Sequence, residues 1–117
     1  MIASLLRSLK CRQVGQVQMQ VSVNGTDATP VASGPDAMFV ASVVDGGAGL
    51  YTINVKEASK INLFVTGIVP ITAGILASIV AVTTSSITIQ CEDTAGLATD
   101  ADFNIQWQHA DQLSYYF

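Results

Sequence analysis

The sequence predicts an all-β fold: a single antiparallel β-sandwich of about seven strands, with a short N-terminal arm or helix. Three observations carry this. Residues 87–91 and 103–107 alternate apolar and polar side chains without a fault. Ile87, Ile89 and Cys91 oppose Thr88, Gln90 and Glu92, and Phe103, Ile105 and Trp107 oppose Asn104, Gln106 and Gln108. A period of two belongs to strands with one buried and one wet face. Further strand-like segments follow one another at spacings of roughly ten residues with turn signals between them, the pattern of a sandwich. Inside residues 13–109 there is neither a convincing amphipathic helix nor an internal repeat.

Residues 1–12 form the first unit. Ile2, Leu5, Leu6 and Leu9 fall at i, i+3, i+4 and i+7, with Arg7, Lys10 and Arg12 off that face, the template of a short amphipathic helix. Twelve residues alone are marginal as a helix in water, so something must bury those leucines. Two covers are open: the protein's own sandwich, or a neighbouring subunit. The apolar run is too short, and too broken by Arg7, for a secretory signal.

The sandwich domain is expected over residues 13–117. Val17, Met19, Val21 and Val23 alternate with Gln16, Gln18, Gln20 and Ser22 and end at Asn24-Gly25, a strong turn pair. Residues 38–44 make a second strand, ended by Asp45-Gly46-Gly47-Ala48-Gly49. Tyr51, Ile53 and Val55 then alternate with Thr52, Asn54 and Lys56. The glycines allow positive φ, so these two strands should pair as a hairpin. Residues 61–67, 76–83, 87–91 and 103–107 supply four more strands, with Thr84-Ser85-Ser86 as a hairpin turn. No residue from 61 to 91 is charged. The densest apolar part, residues 68–82, is shorter than the about 20 residues a spanning helix needs. With Pro70 and Gly74 inside it, it reads as two buried strands and a turn, not a membrane span.

At 117 residues the chain fits one domain, able to bury about 65% of its unfolded surface. Only 12% of residues are charged, against about 25% in ordinary globular domains. Such a shortage favours an assembled protein whose outside is largely contact surface. From residue 13 onward two lysines stand against nine acids, leaving −7. A body so acidic argues against nucleic acid as a partner, since phosphate contacts need clustered Lys and Arg, and only the short N-terminal arm could be an exception.

Two segments bear a resemblance. The glycine turn running into Leu50-Tyr51-Thr52-Ile53-Asn54-Val55 is one. The other is Thr83-Thr84-Ser85-Ser86-Ile87-Thr88-Ile89 followed by the stretch from Asp93 to Ile105. Over residues 38–109 the chain resembles small β-rich virion proteins of tailed bacteriophages, and is similar to capsid decoration (cement) proteins and fibre-type domains. The resemblance implies a virion structural role, with the major capsid protein or other virion subunits as partners. It carries across no functional residue, and it marks residues 92–102 as a hairpin loop.

Candidate chemistry is sparse. Glu92, Asp93, Asp100 and Asp102 could offer oxygen ligands to calcium, but they lack EF-hand spacing, and aspartates in loops commonly serve turn hydrogen bonds. His109, the one histidine, falls at the end of an inward-facing register, where half exposure is expected, and Cys11 and Cys91 are poorly spaced to join it on a metal. No G-x-S-x-G turn presents a serine. Asn24-Gly25-Thr26 matches a glycosylation sequon but explains itself as a turn. The expectation is a non-enzymatic, homo-oligomeric protein of the virion without cofactor. Its candidate interface is Ile2, Leu5, Leu6, Arg7, Leu9, Lys10 and Arg12 of the arm with Tyr115, Tyr116 and Phe117 at the C-terminus. Those aromatics could cap the domain's own core or plug into a neighbour. The alternatives are a tail or fibre module, and a cell-surface sandwich binding carbohydrate or protein. The carbohydrate reading wants an exposed aromatic, whereas Trp107 is expected to face inward.

Overall fold

The computed structural model describes residues 16–110. It is all-β, with eight strands: β1 Gln16–Asn24, β2 Ala32–Ser33, β3 Val40–Asp45, β4 Leu50–Val55, β5 Phe64–Pro70, β6 Ile75–Val82, β7 Ser86–Asp93 and β8 Asp102–Ala110. A single 3-10 turn, Ala37–Phe39, precedes β3, so Met38 and Phe39 lie outside the strand expected to contain them. The additional strand is the two-residue β2.

Two antiparallel four-stranded sheets form, ordered β2-β1-β8-β5 and β3-β4-β7-β6. They pack face to face as a sandwich. The four central strands, β1 and β8 against β4 and β7, contribute most of the core, and their alternation is the reason. Met19, Val21 and Val23, Tyr51, Ile53 and Val55, Ile87, Ile89 and Cys91, and Phe103, Ile105 and Trp107 all turn inward and are buried. Each fully buried large side chain stabilises the fold by about 1.5–3 kcal/mol relative to exposure. Tyr51 and Phe103 meet across the two sheets with ring centroids 5.5 Å apart.

The β3–β4 hairpin forms as expected, with Asp45 opposite Tyr51 and Gly49 at φ +66°. So does the β6–β7 hairpin, where the Thr83 N–H donates to the Ser86 carbonyl at 2.9 Å. The acidic loop after β7 is different. β7 and β8 belong to opposite sheets, so the segment between them crosses over the end of the sandwich and is not a hairpin. β8 pairs instead with β1, from Gln16↔Ala110 to Asn24↔Asp102, and with β5.

The second correction concerns β5 and β6. They are not buried strands. Each is the edge of its sheet, and both edges lie on the same side of the sandwich. His109 differs too: it is buried, not half exposed, because its Nε2 lies 2.8 Å from the Glu57 carbonyl. A carbonyl can only accept, so Nε2 carries the proton.

Candidate functional site

Exposed apolar surface is concentrated on the β5–β6 side. Phe64, Val69, Ile71, Leu76, Ile79 and Val80 are 45–67% exposed. Between the two edges runs an open groove of about 300 Å³, lined by residues 65–68 and 77–79. The local sequence explains this. β6 reads Ile-Leu-Ala-Ser-Ile-Val-Ala-Val, apolar on both faces, so whichever face turns inward leaves the other to solvent. Bulges at Val65/Gly67 in β5 and Ile79/Ala81 in β6 shift the register partway.

Sheet edges of monomeric proteins are commonly blunted by charge, proline, bulges or shortness. The edge on the other side of one sheet, β2, is two residues long, and the corresponding edge β3 ends on Asp45. The β5–β6 side carries bulges and Pro70 but no charge at all, since residues 61–91 contain none. Contiguous uncharged apolar surface beside two sheet edges is the kind of surface that marks interaction sites in soluble proteins.

The outward faces of the central strands are mostly polar and, apart from Glu92 and Asp102 at their crossover ends, uncharged. On one sheet Gln18 donates to the Thr66 hydroxyl (3.0 Å), Gln106 to Gln20 Oε1 (3.4 Å), and Ser22 to Asn104. On the other, the Thr52 and Thr88 hydroxyls are 3.2 Å apart. Most of these groups already satisfy one another, so the face is wet without being reactive.

Three acids of the crossover, Asp93, Asp100 and Asp102, are engaged in structure. Asp93 Oδ1 accepts from the Ala95 and Leu97 N–H groups at 2.8 and 3.0 Å. Asp100 Oδ1 accepts from Gly49 N–H at 2.8 Å. Asp102 Oδ1 accepts from both the backbone N–H and the hydroxyl of Thr26, at 3.0 and 2.8 Å. At the centre sits Tyr51, whose hydroxyl lies 2.8 Å from the Gly25 carbonyl and 3.1 Å from Asp100 Oδ1, and accepts from Ala101 N–H. Burial pushes this hydroxyl well above its ordinary pKa, against the lowering pull of Ala101 N–H and with the help of Asp100. Burial likewise raises the free thiol of Cys91, with Asp100 adding to the effect. The sequon is also engaged, since Asn24 Oδ1 accepts from Val31 N–H at 2.6 Å. Among the described residues no three His, Cys, Asp or Glu side chains gather as a metal site, and no helix is long and apolar enough to cross a membrane.

Among the described residues, the opposite end of the sandwich is less closed. There a cavity of about 500 Å³ is lined by residues that include Val17, Met38, Phe39, Trp107 and His109, with Lys56 and Glu57 also on it. Trp107 is fully buried, so it offers no platform to a sugar ring. Among the described residues its Nε1 is the one buried side-chain nitrogen or oxygen without a hydrogen-bond partner.

The interface residues expected from sequence, Ile2, Leu5, Leu6, Arg7, Leu9, Lys10, Arg12, Tyr115, Tyr116 and Phe117, lie outside the described residues. The β5–β6 surface was missed, because an apolar run was read as burial. The absence of charge over 31 consecutive residues, 61–91, was the usable signal. Comparison of the chain with protein-family models, with curated proteins and with solved structures gives no match.

Proposed function

We propose that this chain is a non-enzymatic structural subunit that assembles through its β5–β6 side with further copies of itself, in the manner of a virion protein that decorates and cements a phage head. The observation that carries the reading is the uncharged double edge, with Phe64, Leu76 and Val80 held in solvent. Leaving such a surface bare invites uncontrolled aggregation, whereas burying it against a copy removes apolar area from water with no charge to desolvate. The sandwich core gives each subunit a rigid body. Of the crossover acids, Asp93 is committed to a turn and Asp100 and Asp102 to hydrogen bonds that tie neighbouring segments together, which leaves them without an evident catalytic or metal-binding task. A net charge of −7 over residues 13–117 also directs the protein away from nucleic acid and toward protein surfaces.

The test is to mix the purified full chain with heads of tailed phages that lack a decoration protein, and to image the particles by cryo-electron microscopy. Added density at regular capsid positions, built from more than one copy, is expected. Decoration by isolated single copies would contradict assembly through the β5–β6 side. Rings or trimers that form freely but ignore every shell would shift the role to a tail or fibre component. A chain that neither oligomerises nor binds would overturn the proposal.

A further inference from the structure

The two edges on the β5–β6 side differ in what their backbones can offer a neighbour. Around β7 the hydrogen bonds set the direction of each group. The Cys91 N–H donates to the Gly49 carbonyl, on the β4 side, and the Thr83 N–H, just past β6, donates to the Ser86 carbonyl. Successive residues of a strand point their backbone groups to alternate sides, so Thr88, Gln90 and Glu92 face β6. Gln90 lies opposite Ser78 and Glu92 opposite Leu76. Leu76 and Ser78 therefore hold the ladder, while Ile75, Ala77 and Ile79 turn their N–H and C=O groups out of the sheet. The register is unbroken from Ile75 to Ile79 and shifts only beyond it. Among the described residues no strand pairs with this edge.

β5 is the poorer edge. The Ile71 N–H donates to the Asp102 carbonyl and the Lys60 N–H to the Ala110 carbonyl, so the even-numbered residues of β8 face β5. Gly67 and Val69, opposite Gln106 and Asn104, are spent on that ladder. The groups left pointing outward belong to Ile68 and Pro70, and proline has no N–H to give. A register shift between Val65 and Gly67 breaks the rest of the edge.

We infer that two copies join by antiparallel pairing of β6 with the partner's β6 about a two-fold axis at Ala77, merging two four-stranded sheets into one of eight strands. This rests on the assembly reading above and specifies its joint. The sequence favours a second copy over a foreign strand. Ile75, Ala77 and Ile79 share one face of the strand and read the same in both directions. A two-fold axis at Ala77 sets Ile75 against the partner's Ile79 and Ala77 against its own mate, the self-complementarity that an isologous contact requires. Paired β-branched residues add cross-strand packing. Charge agrees. A two-fold contact brings residues near the axis close to their own mates, where like charges are destabilising. The body carries −7 over residues 13–117, yet residues 61–91 carry no charge.

The pairing predicts a register. Leu76 falls opposite the partner's Ser78 in a non-hydrogen-bonded pair, with Cα atoms about 4.5 Å apart, within the about 4.4–6.8 Å that a disulfide spans. Each lies about 7–8 Å from its own mate. Both positions are exposed. In full-length chains carrying Cys11→Ser, a mixture of Leu76→Cys and Ser78→Cys proteins under mild oxidant is expected to yield covalent dimers, and either protein alone at least tenfold fewer. Ala77→Pro supplies a second reading, since it removes an outward N–H and no ladder bond. Its sedimentation should show loss of the dimer with the fold retained. Wild type that stays monomeric at every concentration overturns both the assembly reading and this joint. Wild type that assembles without a cross-link in the mixture, or with equal cross-linking in the unmixed proteins, overturns the β6 pairing alone. So does a folded Ala77→Pro chain that assembles undiminished; should that variant not fold, the cross-linking decides.

Discussion

The two ends of the sandwich are built on opposite plans. At the crossover end, Tyr51, Gly25, Gly49, Asp100 and Ala101 form one continuous set of hydrogen bonds, with the Thr26–Asp102 pair beside it. At the other end Met38 and Phe39 are exposed around a cavity, and the Trp107 N–H finds no partner among the described residues. The same four central strands run between them. The difference teaches that strand alternation fills the core between the sheets but leaves each end to the chemistry of its own loops.

The closed end should be the more fragile. A Cβ on Gly25 would sit 2.1 Å from the Ala101 carbonyl oxygen and 2.5 Å from the Tyr51 hydroxyl, and one on Gly49, at φ +66°, 2.3 Å from the Cys91 carbonyl oxygen. Backbone cannot yield as a flexible side chain would. Gly25→Ala is therefore expected to cost about 3 kcal/mol or more, at the upper end for overpacking. Urea denaturation checks this, and a loss below about 1 kcal/mol would mean that the closed end is not rigid.

Tyr51→Phe comes next. It keeps the ring against Phe103 but strands the Gly25 carbonyl and the Ala101 N–H in a buried site, at a cost of about 2 kcal/mol. The same hydroxyl sets an alkaline limit. Its folded pKa is raised by burial, so above the ordinary tyrosine value of about 10 the unfolded chain releases a proton that the folded chain retains. Stability is therefore fully present below about pH 10 and falls as pH rises beyond it. Cys91, also raised by burial, starts a similar and earlier decline near the ordinary thiol value of about 8.5. Denaturation midpoints between pH 8 and 11 should fall more steeply in the wild type than in Tyr51→Phe; parallel curves would remove Tyr51 as the cause.

The cavity end should yield the smallest effect. Met38 is 66% exposed, so Met38→Thr is expected to change stability by less than about 0.5 kcal/mol. A loss above about 1 kcal/mol on urea denaturation would mean that this end is covered.

Much of the fold was legible because four strands alternate cleanly. Val17 to Val23, Tyr51 to Val55, Ile87 to Cys91 and Phe103 to Trp107 declare their faces residue by residue, and the inner members are buried from Met19 and Tyr51 onward. The short β3–β4 and β6–β7 turns declare their pairings as well. The crossover did not, because an acidic, glycine-bearing loop satisfies turn chemistry equally well whether the next strand lies beside β7 or in the opposite sheet. The pairing of β8 with β1 joins residues at opposite ends of the domain, beyond any local signal. The β5–β6 side was misread for another reason. A continuous apolar run has no period, so it cannot distinguish a strand buried on both faces from one that keeps an apolar face for a partner. His109 followed the inward register of β8, but nothing local announced the Glu57 carbonyl that makes burial affordable.

The claim that the β5–β6 side is an assembly surface is the central one, and sedimentation velocity on the full chain tests it most directly. The wild type should sediment as an oligomer whose population rises with concentration. Leu76→Lys with Val80→Lys, two exposed positions on β6, should sediment as a monomer with a stability within about 0.5 kcal/mol of the dissociated wild type. A wild-type chain that remains a folded monomer at every concentration, or a double variant that assembles undiminished, would contradict the account.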